Sequence, residues 1–206
     1  MSLFGTTYHK KSDEELMELI KENNQKAFGE LYDRYAERLI NYFYRMLWKD
    51  QEKAEDFTQD LFTKIIQKPE LFNGSRAFKT WVFSVANNMC KNEYRHHEVK
   101  KKANDHFDYN VSRSAASKAV EDMDKITFNQ ELEVALSSLD EAKRSTFELR
   151  YNDDMSIKEI ADTFGCSEGT VKSRLFYTLK HLNTKLKAFE GVIYILFWAS
   201  TYLMEL

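Results

Sequence analysis

Proline and glycine are scarce in this sequence, since its 206 residues include one proline and six glycines. So few helix breakers leave long uninterrupted segments, and short alternating strands separated by turn dipeptides cannot be recognised. Hydrophobic residues make up 43% of the chain and charged residues 31%, enough for a core beneath a strongly solvated surface. The sequence therefore predicts an all-α protein of one ordinary domain or two small ones.

Cysteine is also scarce, and the common catalytic motifs are missing. Cys90 and Cys166 are far apart and have no CxxC partner, which argues against a disulfide framework or a zinc site and favours a reduced, cytoplasmic protein. The sequence has no glycine-rich phosphate loop, HExxH or GxSxG motif, and its polar, acidic first thirty residues do not read as a signal peptide. His96 and His97 lie in a basic segment that favours phosphate contact over metal binding. We therefore expect no enzymatic activity, no catalytic or metal-binding residues and no cofactor.

Apolar side chains at three- and four-residue spacing predict four helices in the first half of the chain. Asn23 and Asn24 should separate the first two helices, Pro69 should end the third, and the fourth should begin near Ser75. The fourth helix has an apolar side and an opposite side on which aromatic residues lie among bases and amides: Lys79, Phe83, Asn87, Lys91, Tyr94 and Arg95. The aromatic members of this second side could equally pack against a neighbouring helix.

A helix-turn-helix pattern stands out in the second half. Ser156 and Glu159 have the spacing of a capping box, Gly165 follows as a turn residue, and Ser167 can cap a second helix. In such a unit the second helix enters the major groove of DNA. Its outer face carries hydrogen-bonding and aromatic side chains, and an exposed Phe176 could meet a thymine methyl group unless it is buried against a preceding helix.

Charge is distributed unevenly along the chain, although the net charge is only −3. Residues 12–60 contain 13 acidic and 7 basic side chains, whereas residues 75–102 contain 7 basic and 2 acidic ones. Residues 168–187 are basic again, with 5 bases and 1 acid. This alternation is typical of a protein that contacts phosphates with some faces and not with others, although solvated helix faces could produce it as well.

Several strings of the sequence resemble the extracytoplasmic-function (ECF) group of bacterial RNA polymerase sigma factors. They are AEDFTQDLF at 54–62, FKTWVF at 78–83 and GTVKSRL at 169–175, and their order and separation match that family. The resemblance implies an all-α fold with two helical domains joined by a flexible linker, the C-terminal one containing the helix-turn-helix. We expect a region 2 domain at 10–97, a linker at 98–127, where periodicity fades, and a region 4 domain at 128–188.

The resemblance also implies binding residues. Core RNA polymerase would be bound through Asp56, Gln59, Asp60 and Phe62. The melted −10 promoter element would be bound by Asn87, Asn88, Lys91, Asn92 and Arg95. The −35 element would be read as duplex by Thr170, Lys172, Ser173, Phe176 and Tyr177. Core polymerase, promoter DNA and an anti-sigma factor are the implied partners, and the alternative is a helix-turn-helix regulator that binds operators without polymerase.

The C-terminal extension at 189–206 has no role that the resemblance explains. It contains the uninterrupted apolar run VIYILFW at 192–198. A helix over 191–204 would span roughly 21 Å, less than the roughly 30 Å of a bilayer core, so stable membrane insertion is not expected. Four alternatives stay open: packing on one of the two domains, where the tail would mask a binding face, partner binding, self-association and contact with a membrane surface.

Overall fold

The computed structural model describes the backbone of residues 8–103 and 123–187, and the side chains of residues 8–100 and 128–187. Within these ranges the chain forms eight α-helices and two short 3-10 turns, with no strand. The all-α prediction is therefore confirmed. Most of the predicted linker and the whole apolar run of the tail, with its possible masking role, lie outside the described residues.

Four helices form the first half, which we call the N-terminal lobe. They are α1 (Asp13–Lys21), α2 (Gln25–Met46), α3 (Gln51–Gln67) and α4 (Phe78–Ala103). Asn23 adopts a left-handed conformation (φ 63°) and Asn24 caps α2 by accepting hydrogen bonds from the amides of Lys26 and Ala27, so the two asparagines separate the helices as predicted. Pro69 begins a 3-10 turn directly after α3, because its ring cannot continue the helix.

The long helix α2 lies at the centre of this lobe. It buries one stripe that includes Leu31, Leu39, Tyr42 and Phe43, and α3 and α4 pack against it. The start of α4 is held from α1, because the amide of Phe78 donates a 2.9 Å hydrogen bond to Oε1 of Glu14. This carboxylate supplies a partner for one of the amides that a helix start leaves unpaired.

Four helices also form the second half, which we call the C-terminal lobe. They are α5 (Met123–Ser137), α6 (Glu141–Tyr151), α7 (Ile157–Phe164) and α8 (Glu168–Lys185). Helices α4 and α5 both extend into the segment that fading periodicity marks as a linker. The extensions contain residues of good helix propensity such as lysine, alanine and methionine, which favour continuation of a helix.

The two lobes pack against each other instead of standing apart. One hydrophobic cluster runs from the N-terminal lobe to Leu149, Ile160, Val171 and Leu175 of the C-terminal lobe, and α4 contacts α7 while α2 contacts α6. A second, smaller cluster joins α5, α6 and α8. The sequence leads us to expect two tethered helical bodies, and their mutual packing is an additional feature of the structure.

Candidate polymerase and nucleic-acid interfaces

The helix-turn-helix is built from local signals of the sequence. Ser156 accepts a hydrogen bond from the amide of Glu159 at 3.2 Å, and the Glu159 carboxylate accepts one from the amide of Ser156 at 2.7 Å. Although burial opposes it, this bonding to Ser156 lowers the pKa of Glu159. Gly165 ends α7 in the left-handed conformation (φ 62°, ψ 40°) that glycine adopts at little cost, and Ser167 caps α8 through the amide of Thr170. The first helix therefore begins and ends where the sequence predicts, and the second begins where the sequence predicts.

One side of α8 holds the helix in place and the other is open. Val171 and Leu175 are buried against α7 and the main cluster. On the other side Ser173 is exposed, Phe176 retains 49% of its surface and Tyr177 retains 55%. The exposure of Phe176 excludes its burial against a preceding helix. Such large exposed aromatic side chains beside lysines form a surface suited to contact with DNA bases and phosphates.

The remaining residues of the predicted duplex-reading set, Thr170 and Lys172, are half-buried. Thr170 lies in the first turn of α8, where its hydroxyl is 2.9 Å from that of Ser167. All five residues of the set therefore lie within two turns of one helix. In a helix-turn-helix the N-terminal part of the second helix faces the base edges, and this is where the set is placed.

The predicted −10 residues on α4 divide into two groups. Asn88, Asn92 and Arg95 are exposed and Lys91 is half-buried. Asn87, in contrast, is only 2% exposed and accepts a 3.0 Å hydrogen bond from the hydroxyl of Ser145 on α6. In this conformation Asn87 faces the C-terminal lobe and DNA cannot reach it.

Two aromatic residues assigned to the same side of α4 are packed within the protein. Phe83 is fully buried against Tyr42, with ring centroids 5.5 Å apart, and the guanidinium of Arg38 lies 5.5 Å from its ring centroid. The hydroxyl of Tyr94 donates to the carbonyl of Met46. The alternative interpretation, packing against neighbouring helices, is therefore correct for both. The exposed face of α4 carries amides and bases, whereas these two aromatic residues pack against neighbouring parts of the protein.

The predicted polymerase face lies on α3. Asp56, Gln59 and Asp60 are exposed on this helix. Phe62 is buried at 3% exposure, with its ring 4.7 Å from that of Tyr32 and 5.9 Å from that of Phe28. The polar residues of the predicted set are accessible, whereas Phe62 packs α3 onto α2 and offers no surface to a partner in this conformation.

A charged cluster between the two lobes was not found from the sequence. The Arg45 side chain on α2 lies 2.5 Å from Glu148 and 3.3 Å from Asp153, and Arg38 donates a 2.9 Å hydrogen bond to the carbonyl of Asp153. Burial raises the pKa of Glu148 and of Asp153, although Arg45 opposes both shifts. The sequence of α6 does not reveal this cluster, because charged and polar residues lie on several sides of the helix and the pattern does not show which of them are buried.

Among the described residues, His, Cys, Asp and Glu side chains form no group of three or more that could hold a metal ion. A search of the same residues finds no helix with the length and hydropathy needed to cross a membrane.

Two family models match the chain, and both describe sigma factors. The model of sigma-70 region 2 matches residues 31–99, and a model of sigma-70 region 4 matches residues 129–182. The first match covers most of α2, all of α3 and nearly all of α4, and the second covers α7 and all but the last three residues of α8. The order of the two regions is therefore the one that the sequence motifs predict.

Curated relatives span nearly the whole chain. The ECF RNA polymerase sigma-E factor of Escherichia coli (strain K12) is 28% identical over 184 residues, covering 85% of this chain and 95% of the relative. The ECF RNA polymerase sigma factor SigW of Bacillus subtilis (strain 168) is 26% identical over 179 residues, covering 82% of this chain and 93% of the relative. Both relatives match across both lobes.

Solved structures share the fold. The sigma factor RpoE of Bartonella quintana, solved in complex with the anti-sigma factor NepR, superposes with a TM-score of 0.63 at 24% identity, covering 79% of this chain and 98% of that one. CnrH, solved in complex with the cytosolic domain of CnrY, gives a TM-score of 0.65 at 22% identity, covering 87% of this chain and 99% of that one.

Regions 2 and 4, in this order on an all-helical chain, define a sigma-70-type transcription initiation factor. These two regions and the curated relatives together place the chain in the ECF subfamily. The chain therefore belongs to the ECF sigma factors, which direct RNA polymerase to specific promoters. This confirms the family resemblance, and the alternative of a regulator that acts without polymerase is not favoured.

Proposed function

We propose that the N-terminal lobe docks on core RNA polymerase through the exposed face of α3. Its exposed residues Asp56, Gln59 and Asp60 form a polar, acidic surface, and they lie in the acidic segment 12–60, which has 13 acidic and 7 basic side chains. Complementary charge accelerates association and fixes the register of two partners. Phe62 contributes indirectly, because its packing on Phe28 and Tyr32 fixes the position of α3.

The open face of α8 reads the upstream promoter element as duplex DNA. Lys172 supplies a positive charge for phosphate, Thr170, Ser173 and Tyr177 supply hydrogen-bonding groups, and Phe176 supplies apolar contact for a thymine methyl group. The exposure of Phe176 and Tyr177 at the helix surface is the observation that carries this assignment. The two rings contact each other, with centroids 5.4 Å apart, and so form one exposed patch of the kind that marks an interaction site.

The exposed face of α4 holds the melted strand. Asn88, Asn92 and Arg95 are accessible there, Lys91 lies beside them, and Asn87 completes the set once it is uncovered. Amides can hydrogen-bond to the edges of unpaired bases, and basic side chains follow the phosphate backbone. On this assignment the chain has no catalytic reaction of its own and acts in the cytoplasm by adding binding energy at promoters.

An anti-sigma factor regulates the chain. The solved relatives RpoE and CnrH support this part of the proposal, because RpoE was solved with an anti-sigma factor and CnrH with the cytosolic domain of CnrY. Domain limits near 10–97 for region 2 and 128–188 for region 4 are likewise supported by the positions of the matched regions.

The affinity of variants for core polymerase tests the assignment of α3 as the docking surface. Asp56→Lys should weaken binding to core enzyme by at least about tenfold, because it reverses a charge in a complementary interface. Glu22→Lys makes the same charge change at an exposed position between α1 and α2 and should leave binding unchanged. Equal affinity of the two variants for core polymerase, measured by fluorescence anisotropy, would exclude the α3 face as the docking surface.

A further inference from the structure

The contact between the two lobes has a charged centre. Arg45 of the N-terminal lobe reaches both Glu148 and Asp153 of the C-terminal lobe, at 2.5 and 3.3 Å. Arg38 adds a 2.9 Å hydrogen bond to the carbonyl of Asp153 and lies 3.6 Å from its carboxylate. Glu148 is 1% exposed and Asp153 is 4% exposed, so both acids are covered by the lobe that supplies their partners.

Next to this centre, a hydrogen-bonded group covers the middle of the DNA-facing side of α4. The Tyr42 hydroxyl lies 2.8 Å from that of Ser145, and the Ser145 hydroxyl donates a 3.0 Å bond to Oδ1 of Asn87. All three residues are buried. Helix α6 therefore occupies the space that a nucleotide would need in order to reach Asn87.

Helix α7 covers the beginning of α4 in the same way. Arg76 donates a 3.2 Å hydrogen bond to the carbonyl of Asp162, and Lys79 lies 3.6 Å from Glu159. Thr163 approaches the carbonyl of Thr80 at 3.5 Å. The polar contacts thus continue along α4 from its first turn to Asn87, on the side that leads to Lys91.

Beside the apolar side chains that the two lobes share, this contact buries several charges that are imperfectly paired. Within the described part of the chain, Glu148 Oε1 and Arg144 Nε are buried and have no hydrogen-bond partner. Arg45 Nε is also in this group, so its close approach to Glu148 is an ion pair without an aligned hydrogen bond. Buried ion pairs contribute little net stability because desolvation offsets their attraction. Separation of the lobes would return these groups to water, so the contact is suited to reversible opening.

We infer that the chain inhibits itself: the charged cluster of Arg38, Arg45, Glu148 and Asp153 holds the C-terminal lobe over Asn87, and the lobes must separate before α4 can hold melted DNA. The inference rests on the proposed role of α4 in DNA binding. A protein whose binding-competent state is only partly populated binds its ligand more weakly by that fraction. Loosening the cluster should therefore strengthen binding to a single strand.

The closing experiment compares two arginine variants of the full chain. Arg45→Gln removes the charge that spans the lobes, whereas Arg34→Gln removes an arginine of similar exposure whose partners Asp13 and Glu30 lie in the same lobe. Small-angle X-ray scattering measures the radius of gyration. Fluorescence anisotropy measures affinity for a fluorescein-labelled pool of random-sequence single-stranded oligonucleotides. Asp153→Asn, on the opposite side of the cluster, replaces Arg45→Gln if that variant does not fold, as judged by circular dichroism.

Arg45→Gln should increase the radius of gyration and tighten single-strand binding by about tenfold, the size of gain expected when a minor open state becomes the major one. Adding Asn87→Ala to this variant should remove part of the gain, and Arg34→Gln should show neither effect. An unchanged radius would overturn the inference, because the cluster would then not hold the lobes together.

A larger radius with unchanged single-strand affinity would overturn it as well. Transcription assays then separate the two levels of the proposal. If Lys91→Ala and Arg95→Ala still weaken promoter opening, α4 binds DNA and only the self-inhibition fails. If they have no effect, the proposed role of α4 fails too.

Discussion

The hydroxyl of Tyr42 lies 2.8 Å from the hydroxyl of Ser145, a residue 103 positions later in the chain. This pair joins the central helix of the N-terminal lobe to the first buried turn of α6, and both side chains are closed off from solvent. The Tyr42 hydroxyl also lies 3.4 Å from Asn87 Oδ1. One tyrosine thus links the core of region 2, helix α4 and the lobe that contains region 4.

Tyr42→Phe should lower the free energy of unfolding by about 1 kcal/mol, the typical net contribution of a hydrogen bond. The ring can keep its edge-on contact with Phe83, so the loss reports the hydroxyl alone. Urea unfolding followed by circular dichroism measures it. Tyr32→Phe, at a ring that is 39% exposed, is the matched control and should change stability little. If Tyr42→Phe and the native chain have the same free energy of unfolding, the Tyr42 hydroxyl contributes no net stability.

Lys172→Ala should weaken binding to the upstream promoter element on every sequence tested and reduce the salt dependence of binding by about one ion. The lysine lies at the start of α8, where a recognition helix approaches phosphates. A promoter selected from a library with core enzyme serves as the probe, and footprinting at several salt concentrations gives the affinity. Lys21→Ala, in the N-terminal lobe, should leave the upstream footprint unchanged. An intact footprint with Lys172→Ala would show that α8 is misassigned.

The helix-turn-helix could be predicted from the sequence because its determinants are local. Each cap acts within three or four residues of its own position. Ser156, Gly165 and Ser167 can therefore be recognised as helix caps without any knowledge of the rest of the fold. The same applies to Asn24 and Pro69. Each of these residues starts or ends a helix through its own backbone or its nearest neighbours.

The burial of individual α4 side chains could not be predicted in this way. Periodicity places Phe83 and Asn87 on a side of the helix, but what covers that side depends on Arg38 and Tyr42 of α2 and on Ser145 of α6. Ser145 is 58 positions from Asn87, and no local pattern connects them. Amphipathicity distinguishes the two sides of a helix, whereas the identity of the neighbour is decided by tertiary packing.

Ser156→Ala should destabilise the helix-turn-helix by about 1 kcal/mol, because it leaves the amide of Glu159 without its capping partner. Ser156→Asp retains an acceptor at the same position and should recover most of the loss. Hydrogen exchange of the α7 amides separates a local effect from global unfolding. Unchanged exchange in Ser156→Ala would mean that α7 is held by packing of Ile160 and Ala161 alone.

Glu14 should make the N-terminal lobe sensitive to acid. Burial acts to raise its pKa, but the hydrogen bonds that its carboxylate accepts, above all the 2.9 Å bond from the amide of Phe78, lower that pKa below the ordinary 4.5. A carboxyl whose folded pKa is depressed stabilises the fold above its unfolded pKa, and this stability is lost as the pH falls through the folded pKa.

Glu14→Gln should therefore be less stable than the native chain at pH 7. The difference in stability should shrink below about pH 4, where the native carboxyl becomes protonated and is then uncharged like the glutamine. Thermal unfolding at a series of pH values measures this difference. Glu15→Gln is the matched control for the loss of one acid in the first turn of α1. A glutamine at this position can still accept the hydrogen bond from the Ser12 amide, so this variant should lose little stability and leave the start of α4 unchanged. A stability difference between Glu14→Gln and the native chain that stays constant from pH 7 to pH 3 would contradict the role of this carboxylate at α4.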